Sequence, residues 1–172
     1  MARYLLSSQC VFDIIKKANL AAEQWMEAAD QRNIYADDIC ISAVTPMTVL
    51  LELEEALAFA RQYPDKTKYP VPEIKDFIAQ ANRFFDDFAQ DDRIVPMDHK
   101  IASRWGDLLD MRITFTDEDG KPFDVPSATK VELATALIGR GDFPLVYVDY
   151  RRDGHDQVPN LSVEHPEDFV PN

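Results

Sequence analysis

The apolar positions of this chain fall into short runs separated by longer stretches with a helical repeat. Leu5-Leu6, Ile39-Cys40-Ile41-Ser42, Ile94-Val95 and Pro144-Leu145-Val146-Tyr147 have the length and composition of buried strands. Between them, apolar residues recur at helical spacing. Leu20, Ala21, Trp25 and Ala28 share one face of a helix over Ala18 to Ala29, and Leu50, Leu51, Leu53, Leu57 and Ala58 share one over Met47 to Ala60. Thr45-Pro46 supplies an N-cap hydroxyl and a first-turn proline for the second of these. Beyond Pro70-Val71-Pro72, the residues Ile74, Phe77, Ile78, Ala81, Phe84, Phe85 and Phe88 form the apolar stripe of a helix from Glu73 to Ala89. His99 to Leu109 and Ser127 to Ile138 read as two more, the latter with Val131, Leu133, Ala134 and Leu137 inward and Gly139 or Gly141 as its stop.

Alternating strands and helices imply βαβ units. The expected fold is therefore α/β, a three-layer α/β/α sandwich with a mostly parallel central sheet covered on both faces. One segment breaks the alternation. Over 111–125, β-branched and aromatic residues alternate around Asp119-Gly120, a strong hairpin signal. As an interruption, this hairpin is expected to project from the body. Leu161-Ser162-Val163 can add a last short strand.

A length of 172 residues with 46% hydrophobic content suits one core, hence a single domain over 1–172. The formal net charge of -13, from 31 acidic and 18 basic side chains, disfavours general attraction to nucleic acid, which depends on Lys and Arg clusters. Cys10 and Cys40 sit in apolar runs and match no metal or redox spacing, as expected of core thiols in a reducing compartment. No apolar run approaches the roughly 18 residues of a membrane helix, and no leader pattern follows Met1-Ala2-Arg3. The expectation is a cytoplasmic protein without a membrane partner.

The ordered segments resemble the PIN-domain ribonucleases, in particular the VapC-type toxins of bacterial toxin–antitoxin pairs. Tyr4-Leu5-Leu6 followed by Ser7-Ser8-Gln9 resembles the family's first strand, where leucine, leucine, aspartate, threonine and asparagine stand in order. Ile41-Ser42-Ala43-Val44-Thr45 resembles its second-strand motif, Ala134-Thr135-Ala136-Leu137 and Pro144-Leu145-Val146-Tyr147 its late helix and following strand, and Val158-Pro159-Asn160-Leu161-Ser162-Val163 its closing strand. The resemblance spans essentially the whole chain, with the hairpin as the main departure.

In that family several carboxylates converge at the carboxyl ends of the strands, because Mg²⁺ or Mn²⁺ needs oxygen ligands to activate water against a phosphodiester. Here the first-strand aspartate falls on Ser7, the glutamate one turn after the motif threonine on Thr48, and the aspartate before the late helix on Thr129. Asp149 alone keeps a carboxylate near a family position. The resemblance thus implies a degenerate pocket of Ser7, Thr48, Thr129 and Asp149, with no catalytic residues, no cofactor and no bound metal expected. Ser7 and Thr129 also read as plain helix caps.

What remains of the resemblance is binding: a homodimer packed through helices near the amino end, and recognition of an antitoxin-like peptide. The competing reading is an enzyme, a Mg²⁺- or Mn²⁺-dependent ribonuclease toxin with a rearranged site of Asp149, Asp13, Glu52 and Glu132, and RNA is a partner only under that reading. Glu52, Glu54, Glu55 and Glu132 otherwise read as solvated helix faces, and Asp124 as the end of the hairpin. His99, His155 and His165 are scattered; Asp153-Gly154-His155-Asp156 reads as a turn and His165 as a surface loop residue.

Overall fold

Leu5, Cys40 and Tyr147 point to one side of a parallel sheet and their neighbours Tyr4, Leu6, Ile39, Ile41 and Val148 to the other, so the period of two along each strand divides the interior into two cores. The computed structural model describes residues 3–18, 20–29, 34, 36–117, 119–151 and 153–168. In chain order the elements are β1 (Tyr4–Leu6), α1 (Ser8–Lys16), α2 (Leu20–Ala29), β2 (Ile39–Ser42), α3 (Val44–Gln62), α4 (Val71–Gln90), β3 (Ile94–Val95), α5 (His99–Leu109), β4 (Thr114–Thr116), β5 (Pro122–Asp124), α6 (Ser127–Ile138), β6 (Val146–Val148) and β7 (Val163–Glu164). The main sheet has the order β3-β2-β1-β6-β7, and all its pairings are parallel. This is the expected three-layer α/β/α architecture, with β4 and β5 paired as a separate antiparallel hairpin.

On one face, Tyr4, Leu6, Ile39, Ile41 and Val148 pack against Val11 and Ile15 of α1, Trp25 of α2, Val49 and Leu53 of α3, and Phe77, Phe85 and Phe88 of α4. On the other, Leu5, Cys40 and Tyr147 pack against Ile101 and Leu108 of α5 and Leu133, Ala134 and Ala136 of α6. Strand order reverses between β1 and β6, so the carboxyl ends of those two strands form the switch point where open α/β sheets place their sites. The register pairs Leu6 with Val148, which sets Ser7 beside Asp149.

The hairpin does not project. Ile113, Phe115 and Val125 are buried in the second core, because the alternation that makes the strands also gives them an apolar face that must be covered. Ile113→Val is accordingly expected to cost about 1 kcal/mol in urea denaturation, where a solvated hairpin would show no change. Thr45 is no N-cap: α3 starts at Val44 behind Ala43 with no side-chain cap, and the Thr45 hydroxyl is spent elsewhere. β6 lies later than its apolar run suggests, since the Leu145 N–H is committed to the Ala136 carbonyl at 2.8 Å. The expected start of the second helix at Ala18 runs through Asn19, which lies outside the described residues, as does Glu118 in the hairpin turn. α6 stops at Gly139, whose φ of 71° and whose missing Cβ, which would sit 1.6 Å from the Phe143 carbonyl oxygen, exclude any other residue without rearrangement.

Candidate functional site at the carboxyl ends of the strands

Ser7 leaves β1 with its N–H still donating across the sheet to the Val148 carbonyl at 3.0 Å. Its Oγ accepts from the Cys10 N–H at 3.1 Å, capping α1, and donates to Oδ1 of Asp149 at 3.1 Å. The cap and the family-position readings of Ser7 describe the same atom. Asp149 is 0% exposed, and its other oxygen accepts from Arg151 Nε at 2.8 Å and from His155 Nε2 at 3.0 Å. Burial works to raise this carboxyl, but the His155 hydrogen bond and the Arg151 charge outweigh it and hold the group below its ordinary range.

Gly154 sets His155 in place. Its φ is 98°, and a Cβ there would lie 2.3 Å from the Thr114 carbonyl oxygen. The imidazole, 7% exposed, stacks near Phe115 with centroids 4.7 Å apart. Gly154→Ala is expected to lower stability by roughly 2 kcal/mol or more through strain and clash together, and to shift the His155 ring resonances in an NMR spectrum. His165 Nδ1 donates to the Asp149 carbonyl oxygen at 2.8 Å, so His165, read from the sequence as a surface loop residue, is half-buried and tied to the cluster.

A second carboxylate lies alongside. Glu132 is 1% exposed, which overturns its reading as part of a solvated face. It accepts from the Ser8 N–H at 3.0 Å, the Ser8 hydroxyl, the Thr45 hydroxyl at 2.9 Å and the Tyr147 hydroxyl at 3.0 Å. One side chain of α6 thereby ties the amino ends of α1 and α3 to β6, with the positive end of α1 facing its charge. Burial raises the Glu132 carboxyl above its ordinary value, while the Ser8, Thr45 and Tyr147 donors work against that shift.

Around this buried pair run two clefts. The narrower, about 240 Å³, is lined by Thr48, Thr129, Glu52 and Glu132 among others, and the wider, about 430 Å³, by Asp13, Thr116 and Tyr150 among others. Gln9, Phe123 and Arg151 line both. Of the four positions picked out by the resemblance, Ser7 and Asp149 touch, whereas Thr48 and Thr129 both line the narrower cleft. Thr48 donates to the Val44 carbonyl at 3.0 Å, within α3. Thr129 lies inside the first turn of α6, whose cap position is Pro126, so it is not a cap. Asp13 and Glu52 lie on separate clefts, and Asp124 is on the surface, 3.3 Å from Arg112 Nε.

Ser7, Asp149 and His155 are not arranged as a nucleophilic triad. In a nucleophilic triad the imidazole stands between serine and aspartate; here Asp149 stands between Ser7 and His155, and Ser7 is 0% exposed. The Cys10 thiol is driven well above its ordinary value by burial and then by the Asp149 charge, which leaves it unreactive. Among the described residues no group of three or more His, Cys, Asp or Glu side chains is arranged to hold a metal ion. The oxygens that remain are poor ligands as well. Those of Asp149 are engaged by a hydroxyl, a guanidinium and an imidazole, and those of Glu132 by four donors.

Arg151, His155, His165, Tyr147 and Thr45 are site residues that the sequence did not single out. For Tyr147 and Thr45 a signal existed, since a hydroxyl in a buried strand or at a strand-to-helix junction demands a partner. No protein-family model and no curated protein matches the chain. Among the described residues, no helix is long and apolar enough to cross a membrane.

Proposed function

We propose that this chain is a degenerate PIN-domain protein, a VapC-like scaffold that has exchanged ribonuclease chemistry for protein binding. The observation that carries the reading is the saturation of both buried carboxylates at the strand ends by side chains of the chain itself. A divalent ion needs carboxylate oxygens free to face it, and Arg151 beside Asp149 places a positive charge where such an ion would have to approach. Mg²⁺ and Mn²⁺ do not fit this donor set, and no step is assigned to them. The two buried thiols and the acidic surface accord with a cytoplasmic setting.

The binding role takes support from α3. Met47, Leu51 and Phe59 of α3 and Tyr63 at its C-cap are exposed large apolar side chains, with Met47 and Leu51 one turn apart and Phe59 and Tyr63 one turn apart. We propose that this exposed apolar surface packs two copies together, with an antitoxin-like protein as a further partner. Leu51→Glu is expected to turn the dimer into a monomer in sedimentation equilibrium without a change in melting of the monomer itself. A wild-type monomer at all accessible concentrations would remove the dimer from the reading.

Restoring acids tests the assignment of positions. The triple change Ser7→Asp, Thr48→Glu and Thr129→Asp should lower stability through like-charge repulsion. Mn²⁺ should then restore it, by on the order of 2.7 kcal/mol at a hundredfold excess over the dissociation constant. A triple variant as indifferent to Mn²⁺ as the parent in a thermal melt would show that these positions do not form one site.

A further inference from the structure

The β4–β5 hairpin has one edge that is half closed and half open, and the open half faces the wider cleft. Bonds from Val125 N–H to the Ile113 carbonyl and from Asp117 N–H to the Lys121 carbonyl, each 2.9 Å, fix which residues pair across the ladder. Thr114 and Thr116 lie between them, opposite Asp124 and Pro122, so their backbone groups turn away from β5. At Thr114 these outward groups are taken by the side-chain amide of Gln157, which accepts from the Thr114 N–H at 3.0 Å and donates to the Thr114 carbonyl at 2.9 Å. A side-chain amide in that arrangement stands in for the N–H and C=O pair that one residue of a third strand would present. At Thr116, two residues on, the outward N–H and C=O have no partner among the described residues, and Thr116 is part of the wall of the 430 Å³ cleft.

An edge with paired backbone groups left open is a template for an extended chain. Its surroundings specify what kind. The described lining of the cleft carries the carboxylates of Asp13, Asp117 and Glu167 and the aromatic surfaces of Phe123 and Tyr150, on a protein of net charge -13, and the cation among these described residues, Arg151, is engaged by Asp149. Resting on the protein-binding reading above, we infer that β4 takes an extended, basic segment of a partner protein as an added strand. The segment pairs with Thr116 and places a Lys or Arg among Asp13, Asp117 and Glu167, its alternate apolar residues against Phe123 and Tyr150. Gln157 closes the far end and sets the register.

The test uses the whole chain and a fluorescent peptide of alternating valine and lysine, six residues long, with blocked ends. Saturable binding is expected by anisotropy, together with protection of the Thr116 amide from hydrogen exchange. Binding should weaken at least about tenfold for the valine–glutamate peptide, for the valine–lysine peptide N-methylated on alternate amides, and for the Thr116→Pro variant. Proline at this position removes an N–H that the ladder with β5 does not use, so its melting temperature serves as the folding control. If that variant does not fold, the N-methylated peptide decides alone. The double change Asp13→Asn and Glu167→Gln should weaken binding and flatten its salt dependence. Absence of binding, equal binding of the N-methylated or acidic peptide, or dissociation of the α3 dimer by Thr116→Pro each overturns the proposal. Such a failure in a chain that still forms its dimer and leaves RNA intact removes this docking edge alone. Cleavage of RNA by the unmodified chain removes the functional reading beneath it.

Discussion

Replacing Glu132 with leucine is expected to destabilise the protein by about 3–5 kcal/mol, the cost of breaking one side of a buried charged network. The change strands the Ser8 N–H and the hydroxyls of Ser8, Thr45 and Tyr147, donors contributed by α1, α3 and β6. In a chain of this length the loss corresponds to a fall in Tm on the order of 10 °C. Glu132→Gln separates donor pairing from charge. The amide oxygen still accepts from the Ser8 N–H, and hydroxyls can rotate to accept from its NH₂ group, so a loss of about 1–2 kcal/mol is expected. The pH dependence has a defined sign. Because burial raises the folded carboxyl above its ordinary 4.5, its contribution is fully present below that value and declines as pH rises through the folded one. The advantage of wild type over Glu132→Gln should therefore widen as pH falls through the raised folded value and level off below about 4.5. Equal, small effects of leucine and glutamine would show that the network does not hold the helix ends together.

Asp149→Leu is expected to cost a similar 3–5 kcal/mol, since it leaves the Arg151 guanidinium and the His155 imidazole beside an apolar group. Here the linkage runs the other way. The folded carboxyl lies below its ordinary 3.8, burial notwithstanding, because His155 and Arg151 favour the charged form. Its contribution is present above 3.8 and is lost as pH falls through the lower folded value. Asp149→Asn should therefore remove part of the acid lability of the wild type, visible as a flatter stability profile below pH about 3.8 in urea titrations. An unchanged acid limb would show that Asp149 is not the charged member of the cluster.

The layers of this fold were legible because its helices and strands obey their repeats. α5 and α6 run as the apolar stripes indicate, and the five strands of the main sheet each fall at or beside an apolar run. What was not legible depends on contacts between distant segments. Thr45 beside Pro46 has the local chemistry of a cap, but a carboxylate 87 residues away captures its hydroxyl. Glu132 looks like one more acid in an acidic chain until Ser8, Thr45 and Tyr147 converge on it. The hairpin's strands announced themselves, yet the same alternation, with Ile113, Phe115 and Val125 on one face, also carried the sign that it would be buried. His155 was read as part of a turn, which it is; only the closeness of Gly154 to Thr114 turns its ring towards Asp149. The cap at Ser7 was legible, because a serine just ahead of an apolar helix is a cap wherever its hydroxyl reaches the Cys10 N–H, whereas its bond to Asp149 depends on a residue 142 positions away.

We propose that the strand ends hold a self-satisfied polar cluster in place of a metal site. This proposal is tested most directly by titrating Mn²⁺ into the unmodified chain while following its thermal melt and the integrity of added single-stranded RNA. A Tm constant within about 1 °C up to millimolar Mn²⁺ is expected, with the RNA uncut. Stabilisation by several degrees, accompanied by RNA cleavage that Asp149→Asn abolishes, would contradict it and establish a nuclease built from displaced acids.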